Sequence, residues 1–304
     1  MYQAVAYFGL TGIRGRDMYN EPHGSDLSKV NAADRGWGCP CQRYLRCLSM
    51  DFEFQENQRA FKSNAQNARV WTEQWVLREM YCPACGNHHL ENYPNNRPVA
   101  DFFCGNCDEQ FELKSTKSKF GKKITDGAYE TMIARLHSSQ VPNLMLLRYD
   151  MERSGVEDIS VVPQQFFTPD LIEKRKPLAA TARRAGWVGC NILIHRIPKI
   201  GRIELVKERQ VASVKSVVEQ WERTKFLKSK SLESRGWVMD VLNCVQELGM
   251  SEFSLADVYQ FENFLSELHP ANNNVRPKIR QQLQVLRDAG LVSFLGKGQY
   301  KLLG

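Results

Sequence analysis

From Asn64 onward, apolar residues recur at helical spacing. Val70, Trp71, Trp75, Val76 and Met80 share a face of NAQNARVWTEQWVLREMY, and Asn64 stands where an N-cap belongs. Residues 109–115 alternate with period two and predict a strand. The segment 126–140, DGAYETMIARLHSSQ, predicts an amphipathic helix. Apolar runs at 143–149, 159–163, 187–194 and 202–206 predict further strands. Helices mixed with several short strands imply an α/β domain that closes near residue 225.

The polar, Ser-rich stretch 228–234 predicts a linker. Helical patterns then cover 235–248, 254–268 with Ser254 as N-cap, and 274–290 with Gly290 as the stop. The run LVSFL, a GKG turn and QYKLL complete a hairpin. Three helices followed by a hairpin is the order of a winged helix. Residues 1–49 carry turn formers and charges without a sustained period, so a loosely ordered extension is expected there. The expected division is an extension at 1–49, a catalytic domain at 50–227, a linker at 228–234 and a winged helix at 235–304.

Composition changes this picture little. The chain has 304 residues, 42% hydrophobic and 25% charged, which suits two modest globular domains. No apolar run reaches the roughly 18 residues of a spanning helix, and no secretory leader is visible. No membrane partner is expected. Charge adds more. Of the formal +7, the whole excess falls between Leu171 and Gln210, where ten Lys/Arg face three Glu. A concentrated basic segment is the footprint expected for a phosphate backbone.

Nine cysteines without a leader argue against a disulfide framework. Cys82-Pro-Ala-Cys85 and Cys104-Gly-Asn-Cys107 have the spacing of a four-sulfur Zn²⁺ site. Four thiolates fill a tetrahedral shell, so this Zn²⁺ is expected to be structural, with His88 and His89 as bystanders. The other five, Cys39, Cys41, Cys47, Cys190 and Cys244, are expected as reduced thiols.

Hard-metal chemistry interleaves with this pattern. In QFELKS, Glu112 and Lys114 project from one side of the strand and Phe111 and Leu113 from the other. Asp101, at the end of PVAD, can approach from the preceding segment. Two neighbouring carboxylates repel one another and invite a divalent cation such as Mg²⁺, which can activate water against a phosphodiester while Lys114 orients or activates that water. The Cys104/Cys107 pair lies in the turn between the two acidic elements. Zinc there would pin the turn and fix the separation of the magnesium ligands.

Asp101 followed by Glu112-x-Lys114 resembles the PD-(D/E)xK nuclease motif. CPACGN, NNRPVADF, FELKS, DGAY, KPLAATARRAGW, GCNI, SLESRGW and KIRQQLQVLRD resemble the DpnI-type family of methylation-dependent type II restriction endonucleases, from about Met50 to the C-terminus. The resemblance implies an α/β PD-(D/E)xK nuclease core with an inserted four-cysteine zinc site, followed by a small winged-helix domain. It implies Asp101, Glu112 and Lys114 as catalytic residues and Cys82, Cys85, Cys104 and Cys107 as zinc ligands. It further implies Mg²⁺-dependent cutting of double-stranded DNA at GATC sites whose adenine carries an N6-methyl group, in a bacterial cytoplasm. A partner methyltransferase is not implied, because such a host must leave its own GATC adenines unmodified. The family pattern lacks residues 1–49, so translation is expected to start at Met50.

Base reading is expected from two places. On the third helix of the winged helix, Val275, Ile279, Leu283 and Leu286 face inward, while Lys278, Arg280, Gln281 and Gln284 lie largely outward. Gln pairs with adenine and Arg with guanine in the major groove. Lys297, in the wing turn, is a phosphate candidate. In the basic segment, Arg183 and Arg184 are phosphate candidates. Trp187 is either a base or methyl contact or a buried strand residue. Burying one methyl gives about 0.8 kcal/mol, a preference of only about fourfold, so both domains are expected to contribute specificity. The expected working form is a monomer or a transient dimer on DNA. Two other functions compete: a zinc and winged-helix transcription regulator without nuclease activity, and a PD-(D/E)xK repair or junction-resolving enzyme.

Overall fold

The computed structural model describes residues 50–55, 61–93 and 100–303. The expectations for residues 1–49 and for Pro98 of the PVAD segment lie outside these. A first helix, α1 (Asn64–Glu79), is followed by a seven-stranded sheet in the order β1-β2-β3-β5-β6-β9-β10. Its strands are β1 (Glu91–Asn92), β2 (Phe102–Phe103), β3 (Gln110–Thr116), β5 (Asn143–Asp150), β6 (Gly155–Val162), β9 (Ile203–Lys207) and β10 (Gln210–Val211). Strands β3 and β5 run parallel, with Glu112 opposite Leu144 and Lys114 opposite Leu146. The chain crosses between them through β4 (Ile124–Ala128) and helix α2 (Tyr129–His137). Strand β4 heads a second, three-stranded sheet with β8 (Gly189–Ile192) and β7 (Ile172–Lys174).

Strands β5 and β6 are buried almost throughout, as strands covered on both faces must be. Alternation sends Met145, Leu147, Ile159 and Val161 to one face, where Trp75 and Val76 of α1 and Trp221 of helix α3 (Val214–Glu222) meet them. It sends Leu144, Leu146 and Val162 to the other face. That second core continues through Phe166, Phe167 and Leu227 to Trp237, Val241 and Val245 of helix α4 (Leu232–Glu247). The core of the C-terminal region is therefore continuous with one face of the sheet. Segment 50–55 packs beside β6, and Gly155 permits it, because a Cβ there would run into the Phe52 carbonyl.

The C-terminal region contains α4, β11 (Glu252–Ser254), α5 (Leu255–Tyr259), α6 (Glu262–Leu268), α7 (Val275–Asp288), β12 (Val292–Gly296) and β13 (Gln299–Leu302). Its sheet runs β11-β13-β12, which joins the wing hairpin to a strand ahead of the second helix. Ser254 caps α5 through a capping box with Asp257. Val275, Ile279, Leu283 and Leu286 of α7 are buried, and Gly290 (φ 70°) ends the helical region in the left-handed conformation.

Several predicted boundaries move. Ser63, and not Asn64, occupies the N-cap of α1, and its side chain makes no capping bond. The helix expected from 126 starts at Tyr129, because Asp126 pairs with Cys190 and Ala128 with Gly189 in the second sheet. The helix expected across 254–268 breaks after Tyr259, where Gln260 and Phe261 bond three residues back. Residues 232–234 form the first turn of α4, which Ser231 caps by accepting from the Ser234 amide.

Candidate active site and four-cysteine cluster

Two similar knuckles present the cysteines. In the first, the Cys82 amide donates to the Asn87 carbonyl (2.7 Å) and the Gly86 amide to the Cys82 carbonyl (2.8 Å). In the second, the Cys104 amide donates to the Glu109 carbonyl (3.0 Å) and the Asp108 amide to the Cys104 carbonyl (2.9 Å). The residue after each second cysteine turns left-handed: Gly86 at φ 76° and Asp108 at φ 57°. The four sulfurs lie within 4.8 Å of one another. Cys82 Sγ stands 3.6 Å from Cys107 Sγ, and Cys85 Sγ stands 3.7 Å from Cys104 Sγ. A tetrahedral shell with Zn–S bonds of about 2.3 Å places its sulfurs about 3.8 Å apart. The cluster therefore fits Zn²⁺. Asn106 Nδ2 donates to Cys85 Sγ (3.4 Å) and Asn87 Nδ2 to Cys104 Sγ (3.7 Å), each from the opposite knuckle, as outer partners of thiolates do. Burial pushes the Cys82 thiol well up and the Cys107 thiol up to about 12, so a cation is needed to hold them as thiolates. His88 and His89 are exposed and stand outside the cluster.

The second knuckle is the turn of the β2–β3 hairpin. Phe102 pairs with Phe111 and Phe103 with Gln110, and extending that register by one residue sets Asp101 opposite Glu112. The Asp101 amide donates to the Phe111 carbonyl (2.9 Å), and Asp101 Oδ2 accepts from the Leu113 amide (2.7 Å). Arg69 Nη2 of α1 lies 3.6 Å from Asp101 Oδ1. Lys114 Nζ lies 2.6 Å from Glu112 Oε1. Asp101, Glu112 and Lys114 therefore converge, and the cysteine turn joins the strands that carry them.

Asp126, which the sequence patterns did not single out, completes the cluster. Its Oδ1 accepts from Lys114 Nζ at 2.8 Å, and its side chain is only 13% exposed. Burial works against charge on Lys114, but the Glu112 and Asp126 carboxylates outweigh it and hold the ammonium above its ordinary range. Burial, opposed by Lys114 but joined by the charges of Asp126 and Asp101, raises the Glu112 carboxyl. Three carboxylates thus face one ammonium and the edge of one guanidinium. Hard oxygen donors with surplus negative charge fit a Mg²⁺ ion, with Asp101 and Glu112 as the residues to hold it.

The DNA-reading candidates fall on two other elements. Arg183 and Arg184 are exposed on the 175–188 segment, which extends the β7–β8 hairpin through bonds from Arg175 to Gly189 (3.0 Å) and from Leu178 to Trp187 (2.9 Å). Trp187 is half-buried, with its ring over Gly189. On α7, Arg280, Gln281 and Gln284 are exposed; Lys278 is half-buried, its ammonium 5.8 Å from the centre of the Trp237 ring. Lys297 is exposed in the wing turn at φ 49°.

A mixed α/β sheet with a carboxylate–lysine cluster on a sulfur-clamped hairpin, followed by a winged helix, defines a nuclease core joined to a DNA-binding module. The comparison with known families is more specific. Residues 48–230 match the DpnI model, described as the Dam-replacing family, and residues 233–302 match DpnI_C, the Dam-replacing HTH domain. The chain belongs to the DpnI, or Dam-replacing, family. That membership supports a methylation-dependent restriction endonuclease that binds DNA. Among the described residues, no helix is long and apolar enough to cross a membrane.

Proposed function

We propose that this protein is a type II restriction endonuclease that cuts double-stranded DNA at GATC sites carrying N6-methyladenine, with Mg²⁺ as catalytic ion and Zn²⁺ as structural ion. The observation that carries the reading is the register of Asp101 against Glu112, with Lys114 held beside them. When bound, Mg²⁺ would supply Lewis-acid chemistry at the phosphodiester and make water more acidic. Asp101 and Glu112 hold that ion. Lys114, kept cationic by its two carboxylates, donates to the attacking water or to a non-bridging oxygen and orients the water in line with the scissile bond. Cys82, Cys85, Cys104 and Cys107 fix the hairpin that sets the spacing of the two acids.

The winged helix reads bases through Arg280, Gln281 and Gln284, with Lys278 and Lys297 toward phosphates. Arg183 and Arg184 hold the backbone beside the catalytic domain, and Trp187 contacts the methylated base. The division of labour is a catalytic domain at 50–227, a connection at 228–231 that ends at the Ser231 cap of α4, and a reader from Leu232 onward, acting as a monomer or transient dimer in the cytoplasm. The test is digestion of adenine-methylated and unmethylated plasmid with Mg²⁺, repeated with EDTA. Cutting at GATC of the methylated plasmid alone, abolished by EDTA, is the expected result. Binding without cutting supports the regulator instead. Cutting of both plasmids, or cutting that is not sequence-defined, supports a repair or junction-resolving enzyme.

A further inference from the structure

The connection between β3 and β4, residues 117–123, reads KSKFGKK: four lysines and no acid. It leads from the strand that carries Lys114 to the strand that carries Asp126. Its backbone is anchored. Phe120 packs against the core, and the Lys122 carbonyl accepts from the His195 amide (3.2 Å) and faces His195 Nδ1 (2.8 Å). Its ammonium groups are exposed. Lys123 pairs with Glu173 at 2.9 Å, whereas Lys117, Lys119 and Lys122 form no ion pair among the described residues. Lys114, Arg69, Lys119 and Lys123 line one groove of about 470 Å³ together with Thr116 and Thr125.

Strand β4 relates this loop to the arginine-bearing arm. The lysine loop enters β4 at Ile124, and the 175–188 arm leaves the partner strand at Gly189, opposite Ala128. Asp126, with Lys114 on it, lies between. The two ends of β4 are four residue steps apart, about 13 Å at strand rise.

Resting on the nuclease reading above, we propose that the 117–123 loop is a phosphate clamp. Lys117, Lys119 and Lys122 hold the DNA backbone on one side of the scissile phosphate while the arginine arm holds it on the other. The loop reads no base. It sets where along the strand the Lys114 site falls, and it binds methylated and unmethylated duplex equally.

The test uses the full-length, zinc-loaded protein and two labelled duplexes, with and without N6-methyladenine at GATC, in buffer free of Mg²⁺. Dissociation constants are measured between about 50 and 200 mM salt, because each phosphate contact contributes about 0.9 to the slope of log affinity against log salt. The triple variant K117Q/K119Q/K122Q is expected to lose about 2.7 from that slope on both duplexes, with the methylated-to-unmethylated affinity ratio retained. K215Q, on the helix α3 that packs against the opposite sheet face, is the control and is expected to leave the slope unchanged. An unchanged slope in the triple variant, with zinc content and circular dichroism intact, overturns the clamp. So does a loss confined to the methylated duplex. Wild-type binding without methyl preference overturns the methyl-reading part of the proposed function alone, and the slope difference still decides the clamp.

Discussion

Replacing Asp126 tests whether the lysine beside the acidic pair must be held by a carboxylate of its own. In the structure Lys114 Nζ touches Glu112 Oε1 at 2.6 Å and Asp126 Oδ1 at 2.8 Å. A cation drawn to Glu112 and Asp101 competes with Lys114 for the Glu112 carboxylate. Asp126 is then the partner left to fix the ammonium. A charge-assisted hydrogen bond of this kind contributes about 1.5–3 kcal/mol. At about 1.4 kcal/mol per tenfold, its loss slows the chemical step about 10- to 150-fold. D126A loses the acceptor and the charge and falls toward the upper figure. D126N keeps an acceptor and falls toward the lower one. Because Asp126 is largely buried beneath Lys114 and is not among the exposed loops, KM for DNA is expected to change little. The assay is single-turnover cleavage of a methylated duplex at saturating Mg²⁺, with DNA affinity measured separately. D126A with cleavage within twofold of wild type refutes the reasoning, as does a defect confined to KM.

Removing one sulfur, as in C107S, is expected to abolish the bound zinc and with it strand scission, because the same turn spaces Asp101 and Glu112; elemental analysis beside the cleavage assay checks both. Asn143 is fully buried and bonds Glu109 Oε2 (2.9 Å), the Gln110 carbonyl (2.8 Å) and the Gln164 amide (2.8 Å) at the foot of the hairpin. N143A strands these partners and is expected to destabilise by about 2–4 kcal/mol in denaturant unfolding. Burial pushes the Cys190 thiol up to about 11 and the Cys244 thiol up to about 12, which favours the neutral form. Both are expected to resist alkylation at about pH 8 until the protein unfolds, as mapped by mass spectrometry. L283A empties a fully buried position of α7 and is expected to lose about 2–5 kcal/mol of stability.

Much of the site could be read from sequence because its parts are local. Period two puts Glu112 and Lys114 on one face, and a hairpin whose turn holds Cys104 and Cys107 brings Asp101 back opposite Glu112. What escaped is what depends on partners distant in sequence. Asp126 sits in a stretch whose pattern suits a helix start, and only pairing with Cys190, 64 positions on, makes it a strand residue facing Lys114. Strands β1 and β2 have two residues each and β11 has three, too few for any period to show. The lysines of 117–123 vanish in a charge balance taken over the whole chain, which singles out the 171–210 stretch. A helical pattern likewise shows which face of α4 is apolar but not that Phe166, Phe167 and Leu227 cover it.

The most direct measurement is strand scission by D101N/E112Q, made as full-length protein and shown to retain its zinc, its unfolding midpoint and its affinity for methylated duplex. The account predicts that this variant binds the duplex and leaves both strands intact at every Mg²⁺ concentration. Undiminished hydrolysis would mean that the carboxylates facing each other across the hairpin are not the catalytic ones.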